Sequence, residues 1–225
     1  MYEVRLVDDR DIYPAGEERN ILFHIDADAG RIPGLFSDAV DSVTQLLGPE
    51  DSRVSCVARR LYRNVLSAVF EKHAWLSLYL SPTACGASDG GGDAYCKALA
   101  HVVSFVTALF PAGLSGVLRQ ACVYVLKNPE AELRLPLVAE RISVSPAHLG
   151  ELFRQKAGVG FKEYVTTVRM FRARYLIEHS DLKIYEISTG LGYLDTDYFN
   201  RLFKKFSGST PSSYRKTHAD GTGRM

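Results

Sequence analysis

The sequence predicts an all-α protein, in which an N-terminal helical bundle is followed by two copies of a helix-turn-helix unit joined by a long helix. Three observations lead to this prediction. Apolar residues recur at helical spacing along most of the chain, without the sustained alternation that is typical of strands. Stretches rich in Gly, Ser and Pro divide the chain into segments. The second half of the chain also matches itself when it is shifted by about 50 residues.

Charge is distributed unevenly along the 225 residues, although the whole chain carries a net charge of only +1. Residues 1–112 contain 10 Lys and Arg against 15 Asp and Glu, a net charge of −5, whereas residues 113–225 contain 17 against 11, a net charge of +6. A basic C-terminal half favours a nucleic-acid-binding module attached to an acidic N-terminal region. Ordinary variation in surface charge is the alternative.

The four cysteines indicate neither a disulfide framework nor a zinc site. Cys56, Cys85, Cys96 and Cys122 include no CxxC spacing and no histidine at metal-ligand distance. Reduced thiols used in packing are therefore expected, with no metal or cofactor. The N-terminus lacks the apolar core of a signal peptide, and the longest apolar run is shorter than the ~20 residues of a membrane span. A cytoplasmic protein without a membrane segment is predicted.

Helical periodicity predicts a small bundle over residues 1–112. Two segments carry apolar residues three or four positions apart. A third segment, Ala94 to Phe110, is apolar on nearly every side and is predicted to be a buried helix. A Gly-rich stretch predicts a flexible loop over residues 86–94. The apolar positions of the first two segments are Phe36, Val40, Val43 and Leu47, then Val54, Ala58, Leu61, Val65 and Val69.

Helix boundaries are clearer after residue 115. An amphipathic helix ends near Asn128 and Pro129. The next helix begins at Leu135, because Pro136 fits the first turn, where its missing N–H costs little. It continues to a turn at Ser143.

Ser145 in front of Pro146 predicts an N-cap and a further helix that continues to about Ala157. A long helix follows from Phe161 to about His179. At 1.5 Å per residue this helix spans ~27 Å, which is comparable with the ~34 Å of one DNA helical turn.

The internal repeat identifies two related units. A shift of 50 residues aligns the second helix of each copy, and a shift of 49 aligns the preceding helix and turn. The one-residue difference is Leu194, which lengthens the turn of the second copy. The second copy therefore lies at residues 184–206. The pairs aligned at 50 are Leu152, Phe153, Arg154, Gly158 and Tyr164 with Leu202, Phe203, Lys204, Gly208 and Tyr214.

The turn residue differs between the two copies. Gly192 occupies the turn of the second copy, where a positive φ costs little only for glycine. Ser143 occupies the corresponding position of the first copy and is expected to cost stability there.

The second helix of each unit is predicted to bury an apolar face and to present its other face to base edges in a major groove. Arg201 could bind guanine, Asn200 adenine, and Asp197 or Glu151 could accept a hydrogen bond from cytosine. A solvated amphipathic face is the alternative. The predicted base-facing residues are Ala147, Gly150 and Glu151 in the first copy and Thr196, Asp197, Asn200 and Arg201 in the second; the predicted phosphate contacts are Arg154, Lys156, Lys204 and Lys205. The long helix would place the two recognition helices in successive major grooves.

These residues resemble the AraC/XylS family of bacterial transcription regulators. The segment DLKIYEISTGLGYLDTDYFNRLFKKFSGSTPSSYR, residues 181–215, matches the family signature nearly position by position, and residues 137–177 match less closely. The resemblance implies a seven-helix DNA-binding domain, over residues 113–217, that binds promoter DNA and usually activates transcription. Gly150 and Glu151 depart from the family pattern, which implies that the first unit docks weakly or selects cytosine.

The region 1–112 lacks the alternating strands of the sugar-binding barrel that many family members carry. It loosely resembles the helical connector of larger members, so a regulatory, connector or dimerisation region is expected, in the output end of a longer regulator or a short form. Residues 218–225 are expected to be a disordered tail. The expected partners are double-stranded promoter DNA, RNA polymerase and a second copy of the chain bound through the N-terminal helices.

Two other function classes remain open. A thiol enzyme would use Cys122 or Cys96 with His101 or His73, but no recognised nucleophile motif contains these residues, and an enzyme is not predicted. An adaptor would use its N-terminal helices for dimerisation or signal reception and would bind DNA weakly. The departures of Gly150 and Glu151 from the family pattern motivate the adaptor alternative.

Overall fold

Every regular element in residues 12–81, 91–110, 114 and 116–219, the part of the chain that the computed structural model describes, is a helix. The predicted all-α class is confirmed. The chain divides into two compact units, one of residues 1–77 and 81–113 and one of residues 78–80 and 114–225.

The described residues of the first unit include the α-helices α1 Ala15–Ala27, α2 Ile32–Leu47, α3 Ser52–Lys72 and α4 Gly91–Leu109, with 3-10 turns at Ala29–Arg31 and Ala74–Leu78. The helices α2, α3 and α4 pack on one another, and α1 packs on α2 and α3. Their shared core contains the apolar residues that the helical spacing indicates, among them Phe36, Val43, Leu61, Val65 and Val69. The spacing therefore located this core correctly.

The predicted loop over 86–94 is partly wrong. The helix α4 begins at Gly91, so residues 91–94 are helical, whereas residues 86–90 lie outside the described residues. Asp93 in the first turn is stabilising at a helix N-terminus. A Cβ on Gly92 would lie 2.9 Å from a methyl carbon of Val40, so glycine allows α4 to start in close contact with α2.

Within its described residues the second unit has seven α-helices, as the sequence predicts. They are α5 Gly116–Lys127, α6 Leu135–Arg141, α7 Pro146–Leu152, α8 Phe161–His179, α9 Ile184–Gly190, α10 Thr196–Ser207 and α11 Pro211–Ala219. The first helix-turn-helix unit is α6 and α7, the second is α9 and α10, and α8 is the long linker helix between them. The predicted start of a tail at residue 218 is wrong, since α11 includes His218 and Ala219; residues 220–225 lie outside the described residues.

Residues 78–80 also pack in the second unit, although the sequence places them in the N-terminal region. The buried Tyr79 hydroxyl donates to the Leu126 carbonyl at the end of α5, over 2.8 Å. Arg172 of α8 donates to the Leu78 carbonyl over 2.5 Å. Burial raises the pKa of the Tyr79 phenol, so this donor keeps its proton at any physiological pH.

The two helix-turn-helix units pack on different stretches of α8. The ring of Phe153, which follows α7, lies 5.2 Å from that of Phe161 and 5.3 Å from that of Tyr164, at the start of α8. The second helix-turn-helix unit packs on the later part of α8. Its buried cluster consists of Met170, Ala173 and Ile177 of α8, Ile187 and Leu191 from the α9 region, and Phe199 and Phe203 of α10.

The second helix of the first unit is not one continuous α-helix. The sequence predicts a helix from Pro146 to about Ala157, whereas α7 ends at Leu152 and a π-helical turn, Phe153–Ala157, follows it. Gly158, with φ +71°, ends this turn. The matching helix α10 is α-helical throughout. Residues after Phe153 therefore lie at a different angle around the axis than their counterparts in α10.

Both turns have the backbone conformation expected from the sequence. Gly192 has φ +79° and Ser143 has φ +59°. Among the described residues, Ser143 is the one non-glycine with a positive φ. A residue with a Cβ in the left-handed conformation lowers stability by about 1–2 kcal/mol. The first helix-turn-helix unit therefore carries backbone strain that the second helix-turn-helix unit does not.

Side chains cap the N-termini of both recognition helices. Asp195 Oδ1 accepts from the backbone N–H groups of Asp197 and Tyr198, at 2.8 and 3.0 Å. Ser145 Oγ accepts from the N–H of His148 over 3.2 Å, as the sequence predicts. These bonds pair helix N–H groups that have no partner within the helix.

We expect Ser143→Gly to raise the free energy of unfolding by about 0.5–1 kcal/mol, because relief of the left-handed strain outweighs the added freedom of the unfolded chain. Urea unfolding of the full chain measures this change. Ser213→Gly, in the first turns of α11, is the control and should lower stability instead. A destabilised Ser143→Gly variant would contradict the assignment of strain.

Asp195→Ala should lower the free energy of unfolding by about 1 kcal/mol, since the first turn of α10 loses its side-chain acceptor. Asp195→Asn keeps an acceptor oxygen at that position and should retain most of the stability. Thermal unfolding of the two variants under the same buffer gives the comparison. Equal losses in both would show that the carboxylate charge, not the cap, is what matters.

Candidate nucleic-acid interface

The recognition helix of the second unit, α10, is fixed on one face and exposed on the other. Phe199 and Phe203 are fully buried against α8 and α9, and the capped N-terminus fixes where the helix begins. Gly208, with φ +81°, ends it. Burial of two phenylalanines one turn apart sets the rotation of the helix, so the polar residues between them face away from the core.

The predicted base-facing residues of α10 lie on that outer face to different degrees. Asp197 and Arg201 are exposed, and Thr196 and Asn200 are half-buried. The Arg201 guanidinium lies 6.0 Å from the ring centroid of Tyr198, which is at the outer limit of a cation–π contact. Asp197 and Arg201 are four residues apart and therefore project from one side of the helix.

The predicted phosphate contacts are all exposed. Lys204 and Lys205 lie in the last turn of α10, and Arg154 and Lys156 lie in the π-helical turn after α7. Each is a long cationic side chain at the far end of a recognition helix from its capped N-terminus. That location suits contact with a backbone flanking the groove that the helix would enter.

The first unit presents fewer side chains than the sequence predicts. Ala147 and Glu151 are exposed, whereas Gly150 is buried, so its predicted outward position is wrong. A Cβ at Gly150 would lie 3.4 Å from a methyl carbon of Leu135. The glycine is therefore in contact with the start of α6, and its lack of a side chain serves helix packing.

Glu151 is held by its own helix. Its carboxylate lies 2.7 Å from the Arg154 guanidinium and accepts a hydrogen bond from the Gln155 side chain over 2.6 Å. The hydrogen bond from Arg154, followed by that from Gln155, lowers the pKa of the Glu151 carboxyl. The carboxylate thus neutralises one predicted phosphate contact and uses acceptor positions that a cytosine would need.

An open groove lies between the two helix-turn-helix units, alongside the start of α8. Its volume is about 700 Å³. Its cations Arg134 and Lys162 are not predicted as site residues from the sequence, because neither lies in a recognition helix. Residues of both units and of α8 line the groove, including Arg134, Arg154, Lys162, Arg169, Tyr193 and Tyr198.

Two of the cysteines, Cys96 and Cys122, lie in surroundings that disfavour the thiolate form. Burial raises the pKa of the Cys122 thiol to about 11, and it also raises the pKa of Cys96. Both thiols are therefore protonated at neutral pH, which makes them poor nucleophiles. Among the described residues, no three His, Cys, Asp or Glu side chains come close enough together to hold a metal ion. Within that same part of the chain, no helix has the length and apolarity needed to cross a membrane.

Comparison with known proteins identifies the second half of the chain. A family model described as a helix-turn-helix domain matches residues 138–217. The Msm operon regulatory protein of Streptococcus mutans is 37% identical over 86 residues, which cover 38% of this chain and 31% of that protein. The transcriptional activator RhaR of Escherichia coli O1:K1 is 39% identical over 90 residues, 40% of this chain and 31% of that protein.

Among solved structures, the C-terminal domain of AraT, a response regulator from Geobacillus stearothermophilus, is 36% identical. The match covers 47% of this chain and 88% of that one, with a TM-score of 0.44. The chain spans about a third of the length of the curated relatives that it matches. Residues 138–217, with their two capped recognition helices on one linker helix, form a helix-turn-helix domain of the AraC type.

Proposed function

We propose that this chain is a sequence-specific transcription regulator of bacterial type that binds double-stranded promoter DNA. The observation that carries the proposal is the pair of helix-turn-helix units packed on one 19-residue helix, α8. That helix spans ~27 Å at 1.5 Å per residue, against ~34 Å for one DNA turn. One chain can therefore present two recognition helices to successive major grooves on one face of the duplex.

In this proposal the second helix-turn-helix unit makes most of the contacts that distinguish one base pair from another. Arg201 has the fork geometry that binds guanine O6 and N7, and Asn200 can bind adenine in the same bidentate way. Asp197 can accept a hydrogen bond from cytosine. The exposure of Asp197 and Arg201 supports these roles.

The first unit contributes mainly to docking. Gly150 has no side chain and is buried, and the Glu151 carboxylate is already bonded to Arg154 and Gln155. Ala147 remains for an apolar contact, such as with a thymine methyl group. Lys156, Lys204 and Lys205 would bind phosphates of the DNA backbone, and Arg154 would do so once released from Glu151.

The N-terminal region, residues 1–112, would serve as a regulatory, connector or dimerisation region. Phe23 and Leu46, large apolar side chains that are 69% and 61% exposed, support a role in contact with a second copy. In this proposal the protein also binds RNA polymerase at an activated promoter. It has no enzymatic role and is located in the cytoplasm. The adaptor alternative, in which DNA binding is weak, draws on the pairing of Glu151 with Arg154.

Selection of binding sites from a random duplex pool, at two salt concentrations, tests the proposal. Two enriched sequence blocks about one helical turn apart are expected, with the better-defined block belonging to α10. Affinity should fall steeply as salt rises, because counterions are released when phosphates are neutralised. Failure to enrich any sequence at low salt would reject the proposal and favour the adaptor.

Arg201→Ala and Lys204→Ala should separate base reading from phosphate binding. Arg201→Ala is expected to cost about 1–3 kcal/mol on the selected site and to relax the preference at one base pair. Lys204→Ala should weaken binding to all sequences alike and reduce the salt slope by about 1. Titration of a duplex panel, with each base pair substituted in turn, measures both. A uniform loss with Arg201→Ala would contradict its reading role.

Glu151→Gln should tighten DNA binding, because it removes a negative charge from the first recognition helix and releases the Arg154 guanidinium toward phosphate. The salt slope should become steeper by about 1. Glu140→Gln, an exposed carboxylate on α6, makes the same change of charge off the recognition helix and should have a smaller effect. Unchanged affinity with Glu151→Gln would show that the first unit does not approach DNA.

A further inference from the structure

The guanidinium of Arg169, in the middle of α8, donates to two backbone carbonyls that precede the first helix-turn-helix unit. Its Nε donates to the Pro129 carbonyl over 3.1 Å, and its terminal nitrogen donates to the Ala131 carbonyl over 2.9 Å. Both carbonyls belong to the turn that leads into the first helix-turn-helix unit. Arg169 is half-buried, so these are not the loose contacts of a surface side chain.

The same guanidinium lies against the turn of the second unit. It is 5.6 Å from the ring centroid of Tyr193. A Cβ added at Gly192 would lie 3.0 Å from one terminal nitrogen of Arg169 and 3.3 Å from the other. One rigid cation is therefore held between the approach to the first unit and the turn of the second.

The two helix-turn-helix units are attached to α8 at different places. They pack on different stretches of α8, around Phe161 and Tyr164 for the first and around Met170, Ala173 and Ile177 for the second. Arg169 lies where these stretches meet. The groove of about 700 Å³ lies open between the units on the side where Arg134, Lys162 and Tyr198 line it.

We propose that Arg169 is a positioning residue that fixes the relative placement of the two recognition helices and so sets the spacing between the two DNA blocks that the chain accepts. This inference rests on the proposed function. In this role Arg169 itself contacts no base. Its planar fork bonds two carbonyls in defined directions, so a shift of the second unit along or around α8 would break those bonds or drive the Gly192 turn into the guanidinium.

Burial lowers the pKa of Arg169, an effect that Tyr193 opposes, but an arginine remains charged at neutral pH all the same. A half-buried cation of this kind resists movement away from its acceptors, because a hydrogen bond that a charged group loses out of contact with water is costly. The hydrogen bonds of Arg169 to the Pro129 and Ala131 carbonyls therefore restrain both the position and the direction of its guanidinium.

Affinity for duplexes with altered spacing tests the proposal. The two blocks selected by the full chain are placed at their selected spacing and with one or two base pairs inserted or removed. The unmodified chain should bind the altered duplexes about tenfold more weakly or worse, since one unit then loses its base contacts. Arg169→Met should bind all the spacings within about threefold of one another while its affinity for a single block is unchanged.

Two controls separate positioning from a general loss of stability. Arg172→Met removes a neighbouring guanidinium of α8 that donates to Glu130 and to the Leu78 carbonyl, and it should keep the spacing preference. Gly192→Ala should relax the preference from the other side of the contact by displacing the Arg169 guanidinium. Gly208→Ala imposes a similar positive-φ cost, at φ +81°, with nothing within 4 Å of the new Cβ, and should keep it.

The outcomes separate this inference from the proposed function. If the unmodified chain binds no duplex, the proposed function fails. If it binds and discriminates between spacings, but Arg169→Met and Gly192→Ala discriminate equally well, the positioning role is overturned. It is also overturned if the unmodified chain accepts every spacing, or if Arg172→Met relaxes the preference as much as Arg169→Met does.

Discussion

The burial of α8 on more than one side is the constraint on which the second compact unit, residues 78–80 and 114–225, depends. Phe161, Tyr164, Val165 and Val168 are buried along its first half, and Met170, Ala173 and Ile177 along its second. A helix with so many buried positions needs covering elements along its length. The two helix-turn-helix units provide that cover together with α5 and α11, so the attachment of both units to one helix follows from the same burial that makes each unit stable. The polar recognition faces are what this packing leaves outside.

The sequence was sufficient where a feature depends on local chemistry. Ser145 before Pro146 predicted a cap that the structure confirms, and the alignment of Ser143 with Gly192 predicted a positive φ that both residues have. Each of these features depends on a few neighbouring residues. The internal repeat relates one copy to the other, so the sequence alone predicts the order of helices in the second half.

Features that depend on contacts between residues far apart in the chain could not be predicted from the sequence. Gly150 was assigned outward by its helical position, but the start of α6 covers it, and Leu135 lies fifteen residues earlier in the chain. The π-helical turn at Phe153–Ala157 replaces an α-helical turn that the periodicity supports equally well. Pairing of Glu151 with Arg154 is a choice among rotamers. The two carbonyl acceptors of Arg169 are some forty residues away and leave no mark in a pattern of apolar spacing.

Because residues 78–80 belong to the second unit, the chain crosses between the units three times, after residues 77, 80 and 113. Tyr79 and Arg172 hold the short segment 78–80 in the second unit through hydrogen bonds to the Leu126 and Leu78 carbonyls. A fragment that begins at residue 114 would therefore lose these two bonds and the packing of residues 78–80, although it would keep α5 to α11. The end of the N-terminal region in the sequence is thus not the boundary of the fold.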